Sequence, residues 1–253
     1  MAEIRSEIGN GQHFNPDLVI QNIEQTEPWW KNFQEVMEWD REGVVSFIED
    51  TVKLYQQLEE AALNPEAHFP QTAQEASKIK ALWVISAPGT YFKARKKDRY
   101  EDKPWAAWND RQRVNYALQI GRKLGSVPLI VYSGRSDEDA AVLEAAATPW
   151  LRFPNTGIYP KDRIFVINPI PPIENSLDQI KTFRLPTNFR INSGDEIGLI
   201  IHAPQAVRFL YMLNNFPQVI PEGATLRVFP LPTPVMGIPE YPLQEIRGLI
   251  NYR

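Results

Sequence analysis

Five short apolar runs, separated by segments with helical spacing, constrain this chain more than any other feature. They are "ALWVISA" (81–87), "PLIVYSG" (128–134), "RIFVIN" (163–168), "IGLIIHA" (197–203) and "TLRVFPL" (225–231), all rich in Val and Ile. Near-continuous apolar runs of this kind suit strands covered on both faces, as in a parallel sheet. Between them the apolar period lengthens to three and four. In "DRQRVNYALQIGRKLG", Val114, Ala117, Leu118, Gly121 and Leu124 share a face, and Gly125 is a natural stop. "DEDAAVLEAAATPWL" carries acids in its first turn, which favour the positive end of a helix dipole. "ENSLDQIKTF", "PQAVRFLYMLNNF" and "PLQEIRGLI" complete the helical set, with Pro204 suited to a first helical position. Strand and helix in alternation imply right-handed βαβ units. The expected fold is α/β: a Rossmann-like three-layer sandwich around a mostly parallel five-stranded sheet.

The first 75 residues follow another pattern. From Asp40, a suitable N-cap, Val45, Ile48, Val52, Tyr55 and Leu58 recur at spacings of three and four, and Phe47 and Leu54 widen the stripe. The preceding "TEPWWKNFQEVMEW" puts three tryptophans into a shorter helical stretch. Their rings either pack these helices onto the main domain or offer a face that binds a protein partner or covers a ligand. "NPEAHFPQTAQ", with two prolines and polar residues, reads as a linker. The expected organisation is a helical extension over 1–75, packing on an α/β domain over 76–253, with no internal repeat.

Composition narrows the function classes. A net charge of −4 argues against nucleic-acid binding by the whole surface. The absence of cysteine excludes disulfides, thiol nucleophiles and Cys-ligated zinc. "MAEIRSEIGNGQHF" lacks the apolar core of a signal peptide, and no run approaches the roughly 18 apolar residues of a membrane span. The expectation is a cytoplasmic protein without a membrane partner.

In an open parallel sheet, ligands bind at the carboxyl ends of the strands, and four such ends carry informative residues. "SAPGTY" (86–91) follows the first run with Ser86, Gly89 and Thr90, small enough to let backbone approach a ligand. It is neither a GxGxxG dinucleotide motif nor a P-loop, and a tight turn explains it equally. "SGRSDED" (133–139) ends a run at Ser133 and Gly134, sets Arg135 in the turn and opens a helix with acids. Arg135 beside a helix N-terminus reads either as an anion holder or as the partner of Asp137 or Glu138. "PIPPIENSLDQ" places Glu174 and Asn175 at the start of a helix, as ligand contacts or as caps. At the fourth end His202 closes a strand, Gln205 falls in the next helical turn and Arg208 lies three residues on, on the same face. His202 reads as an acid–base group or as a buried structural residue. If Arg208 points inward it needs a counter-charge, from a ligand anion or from Glu174. The clustered Asp137, Glu138 and Asp139 are a commonplace of helix starts, and no metal site is assigned to them. Between the first strand and the next helix, "YFKARKKDRYEDKPWAAWNDR" (91–111) interleaves basic and aromatic residues, as a solvated loop, a lid or a base-stacking surface.

From Lys80 onward the chain resembles the YdcF/SanA-like proteins. Their pattern has a Gly-rich turn after the first strand, "SGG" with an acidic residue and alanine at the next helix, "EN" after the third strand, and a "T-x-x-x-H-x-x-R" segment. The matching residues are Ser133-Gly134, Asp139-Ala140, Glu174-Asn175 and Arg208, within roughly 80–253. The resemblance implies a Rossmann-like domain whose cleft takes nucleotide-like ligands, S-adenosylmethionine among them. Three positions depart from the pattern: Arg135 replaces the second glycine, Ile201 the threonine and Gln205 the histidine. Gln205 cannot do acid–base work, because an amide does not titrate; either His202 has taken it over or this chain only binds.

Two functions follow as expectations. One is an enzyme of hydrolase or transferase type acting on a nucleotide-like or phosphorylated ligand. There His202, Asp139 and Glu174 are catalytic, and Ser86, Gly89, Thr90, Ser133, Gly134, Arg135, Asn175, Gln205 and Arg208 bind the ligand. The other is a non-catalytic module for a nucleotide or S-adenosylmethionine. A weaker third is single-stranded nucleic-acid binding through the 91–108 loop.

Overall fold

A computed structural model describes residues 40–86, 104–133, 159–167, 173, 175–232, 245, 248 and 249, with backbone alone for 41 and 104–111. Six α-helices and five strands follow in chain order among them. They are α1 (Arg41–Leu63), α2 (Pro65–His68), α3 (Ala73–Lys78), β1 (Ile79–Ile85), α4 (Pro104–Lys123), β2 (Leu129–Ser133), β3 (Ile164–Ile167), α5 (Ser176–Thr182), β4 (Glu196–His202), α6 (Ala203–Asn214) and β5 (Thr225–Leu231). Glu245, Gly248 and Leu249 belong to a further helical segment near the C-terminus.

The strands form one all-parallel sheet in the order β3-β2-β1-β4-β5. This is the arrangement of the first five strands of a Rossmann-type sheet. All five runs read as strands are strands, and their ends move by no more than two residues. The absence of polar alternation has a direct cause. Ala81, Trp83 and Ile85 pack with Leu129, Val131, Leu199 and Ile201 on one face. Their neighbours Leu82 and Val84 pack with Ile130, Tyr132 and Ile200 on the other. Helices α5 and α6 cover the first face through Ile180, Ala206, Val207 and Phe209. Helix α4 covers the second through Val114, Ala117, Leu118 and Ile120. Each such side chain contributes roughly 1.5–3 kcal/mol of burial, so neither face tolerates a polar residue at random.

Asp40 caps α1 by accepting from the Gly43 N–H at 2.8 Å. The buried stripe is Val44, Ile48, Val52 and Leu58, with Val45 only half-buried, so it begins one residue earlier than the sequence spacing implied. Leu54, Tyr55 and Leu58 join the core beneath α6, and the Phe47 ring meets Tyr211 edge-on at 5.4 Å. The Trp-rich segment carrying Trp29, Trp30 and Trp39 lies outside the described residues.

The stretch read as a linker is instead two short packed helices. Pro65 opens α2, where its missing N–H costs nothing. Thr72 caps α3, and Phe69 anchors the turn between them against Phe229 at 6.2 Å. Prolines at helix starts here initiate structure. Likewise α4 begins at Pro104, so the end of the 91–108 basic-aromatic stretch has helical backbone; residues 91–103 lie outside the described residues. Gly125, at φ +69°, ends α4 in the left-handed region. The helix read in "DEDAAVLEAAATPWL" also falls outside the described residues. Among those described, no helix is long and apolar enough to cross a membrane.

Two positions in β4 and β5 are tightly determined. A Cβ on Gly198 would lie 2.6 Å from Leu82 Cδ2 and 2.8 Å from Phe229 Cε2, so only glycine lets those side chains close over β4. Pro230 stands opposite Ile201 in β5, an edge strand among the described residues, where a residue without an N–H is tolerated in a sheet. Gly198→Ala is expected to overpack this layer and lower unfolding stability by about 1–3 kcal/mol, read from the urea midpoint at an unchanged slope. An unaltered midpoint would mean that Leu82 and Phe229 move aside freely.

Candidate functional site

Polar side chains belong at the surface unless something holds them inside. Among the described residues, Ser86, Arg113, Ser133, Ser176, Gln179, His202, Gln205, Arg208 and Glu245 are buried; Thr51 of α1 is the only other buried polar residue. Ser86 directly follows β1, Ser133 ends β2 and His202 ends β4. Arg113 reaches from α4 to donate to the Ile85 carbonyl at the end of β1. Gln179 of α5 donates to Ser86 Oγ at 2.6 Å and to the Ser133 carbonyl at 3.1 Å. Gln205 and Arg208 lie in the first two turns of α6, directly after β4. The buried polar groups therefore gather at the carboxyl edge of β1, β2 and β4. In this strand order, the gap between β1 and β4 is the switch point, where chain connections run to opposite sides.

Much of the cluster is bound to itself. Ser133 Oγ accepts from Trp83 Nε1 at 2.9 Å, and the Ser86 N–H donates to the Ser133 carbonyl at 3.3 Å. Asn175 is half-buried and caps α5, its Oδ1 accepting from the Asp178 N–H at 2.9 Å. Arg208 Nη2 donates to Ser176 Oγ at 3.3 Å, and its Nε stands 2.9 Å from Glu245 Oε2. The counter-charge that Arg208 requires thus comes from the C-terminal helical segment. That segment can approach because residue 248 is glycine: a Cβ there would sit 2.5 Å from Arg208 Nη1. Burial pushes the Glu245 carboxyl up from its ordinary range, while Arg208 and Arg113 pull it down.

His202 is differently placed. Its Nδ1 lies 3.0 Å from the Pro232 carbonyl. A carbonyl only accepts, so Nδ1 carries the proton and Nε2 of the neutral ring is left as an acceptor. Burial, and then the positive charge of Arg113, hold His202 well below its usual value; the Pro232 carbonyl opposes them. Nε2 has no hydrogen-bond partner among the described residues, and neither has Gln205 Oε1. Both side chains are 1% exposed. These are two buried acceptors, three residues apart, at the junction of β4 and α6.

Of the residues singled out from sequence, Ser86, Ser133, His202, Gln205 and Arg208 do gather at one edge, with Asn175 capping the adjoining α5. Gly89, Thr90, Gly134, Arg135, Asp139 and Glu174 lie outside the described residues. Arg113, Ser176, Gln179 and Glu245 were missed. A signal existed for two of them. Arg113 shares a helical face with Ala117, Ile120 and Leu124, and Glu245 lies one turn before Leu249; a charged residue on an apolar face requires a partner inside. Among the described residues, no group of three His, Asp or Glu is placed to hold a metal ion. No family model, curated protein or solved structure matches the chain.

Two stability measurements test this arrangement. Glu245→Gln keeps the shape but removes the charge facing Arg208, and is expected to lower unfolding stability by about 3 kcal/mol at neutral pH. His202 has a folded-state pKa below its unfolded value. Its contribution is therefore complete above pH about 6.5 and is lost as the pH falls from there toward the depressed folded value. In urea titrations, stability of the wild type relative to His202→Phe is expected to fall on going from pH 7.5 to 5.5. The slope is at most about 1.4 kcal/mol per pH unit. A difference independent of pH would show that His202 ionises freely in the folded state.

Proposed function

We propose that the carboxyl edge of the sheet, between β1 and β4, binds a small polar ligand of nucleotide-like or phosphorylated class. One observation carries this reading: the buried, unpartnered acceptors His202 Nε2 and Gln205 Oε1 stand at the switch point of a Rossmann-type sheet. Buried polar atoms in native proteins are nearly always hydrogen-bonded, and an unmet one costs about 1–3 kcal/mol. Two unmet atoms at the position where this fold class takes ligands are accounted for by a ligand that donates to them. Its anionic part faces the amino end of α6, where free N–H groups and the helix dipole favour negative charge. Arg208 enters as a support, since an anion clamp there would first have to displace Glu245. Membership of the YdcF/SanA-like proteins, with nucleotides or S-adenosylmethionine as candidate ligands, belongs to the same proposal.

Turnover is the second reading, favoured by the orientation of His202. With Nδ1–H held by Pro232, Nε2 is set to accept a proton as a general base in hydrolysis or group transfer. Its depressed pKa leaves the ring unprotonated at neutral pH, the form that a base requires. Asp139, Glu174 and Arg135 enter this reading from sequence alone.

Thermal unfolding of the full chain with nucleoside mono-, di- and triphosphates, S-adenosylmethionine and sugar phosphates tests the binding role. A ligand held by the native state raises the midpoint, by about 2.7 kcal/mol of stabilisation at a hundredfold excess over Kd. A flat response across the whole panel would overturn the reading. With a binding compound in hand, His202→Ala separates the two roles: lost turnover with retained binding makes His202 a base, and wild-type protein without turnover is a binding module.

A further inference from the structure

We infer that the ligand presents two neighbouring hydroxyl groups to His202 Nε2 and Gln205 Oε1, so that this pair reads a vicinal diol. The inference rests on the binding role proposed above and specifies what the β4–α6 junction recognises. His202 is the N-cap of α6 and Gln205 its third residue, so the two side chains spring from the first turn of one helix. Both unmatched atoms are acceptors: Nε2 because Nδ1 is committed to Pro232, and Oε1 by its nature. Phosphate and carboxylate oxygens, themselves acceptors, cannot satisfy them. An ammonium or guanidinium group would donate, but Arg113, whose charge already disfavours a proton on His202, disfavours any second cation at this place. Neutral donors remain. Hydroxyls fit better than ring or amide N–H groups, because each rotates to suit its partner and also accepts from surrounding donors. A vicinal diol delivers two of them together. The ribose of a nucleotide and the ring of a sugar phosphate share this chemistry.

Isothermal titration of the full chain separates the sources. The probes are adenosine 5′-monophosphate with its 2′-deoxy and 3′-deoxy forms, and glucose 6-phosphate with 2-deoxyglucose 6-phosphate. A site built around buried acceptors rejects a ligand lacking the matching hydroxyl, so each deoxy form is expected to bind roughly tenfold or more weakly than its parent. Preference within the adenosine series identifies ribose, and preference within the glucose series a sugar ring. Equal affinity of parent and deoxy forms would overturn the inference while leaving the binding role intact. Failure of every probe, deoxy forms included, to bind would overturn both. Gln205→Met provides a second arm. It removes one unmet acceptor at similar volume, so its melting midpoint should match or exceed that of the wild type, while discrimination between parent and deoxy forms collapses. Undiminished discrimination in a folded variant would also overturn the inference. Should the variant not fold, the wild-type comparison decides alone.

Discussion

The contact between Arg208 and Glu245 joins parts of the chain that nothing in their local sequence brings together. Each ion, taken out of water, costs several kcal/mol, which is recovered only with good geometry and further hydrogen bonds. Arg208 has an opposite charge close by, Glu245 at 2.9 Å on one side, and donates to Ser176 at 3.3 Å on the other. Through those two contacts α6 meets both α5 and the C-terminal helical segment, and Gly248 provides the room for the guanidinium. Gln179, one turn after Ser176 on α5, then bridges Ser86 and the end of β2. Remove the ion pair and the scaffold that orders the carboxyl edge loses its centre.

Against that background the unmatched atoms acquire meaning. The serines, Gln179, Asn175 and Arg208 all have partners within the fold, and the Trp83 indole N–H has Ser133. The same folding forces leave His202 Nε2 and Gln205 Oε1 without one. A chain optimised for stability alone would put apolar groups of similar volume there. Retention of two acceptors at the switch point of the strand order is the kind of local cost that folds carry at working sites.

The sheet was readable from sequence because burial on both faces confines polar residues to positions at or near the ends of β1, β2 and β4, and that apolar middle survives any uncertainty about strand ends. The first helix was readable from Asp40 and its spacing. Its stripe turned toward Val44 because contact with α6 and β5 selects the face, which is a tertiary decision. The 64–74 stretch was misread because Pro65 begins a helix and Phe69 has a distant partner in Phe229. At the candidate site, residues ending strands were legible, since topology alone sends them to one edge. Arg113 and Glu245 were not, although each lies on an apolar helical face. Their roles depend on which distant backbone carbonyl or opposite charge lies within reach, and no local pattern encodes that.

Pro230 has an implication for molecules in a crowd. An outermost strand exposes unpaired backbone groups that invite another chain to add itself and grow fibrils. Here the last stretch of β5 lacks one of the donors such growth would need, and α1 lies against the same strand. Among the described residues, one imino acid at this border thus withholds a donor that an incoming strand would use.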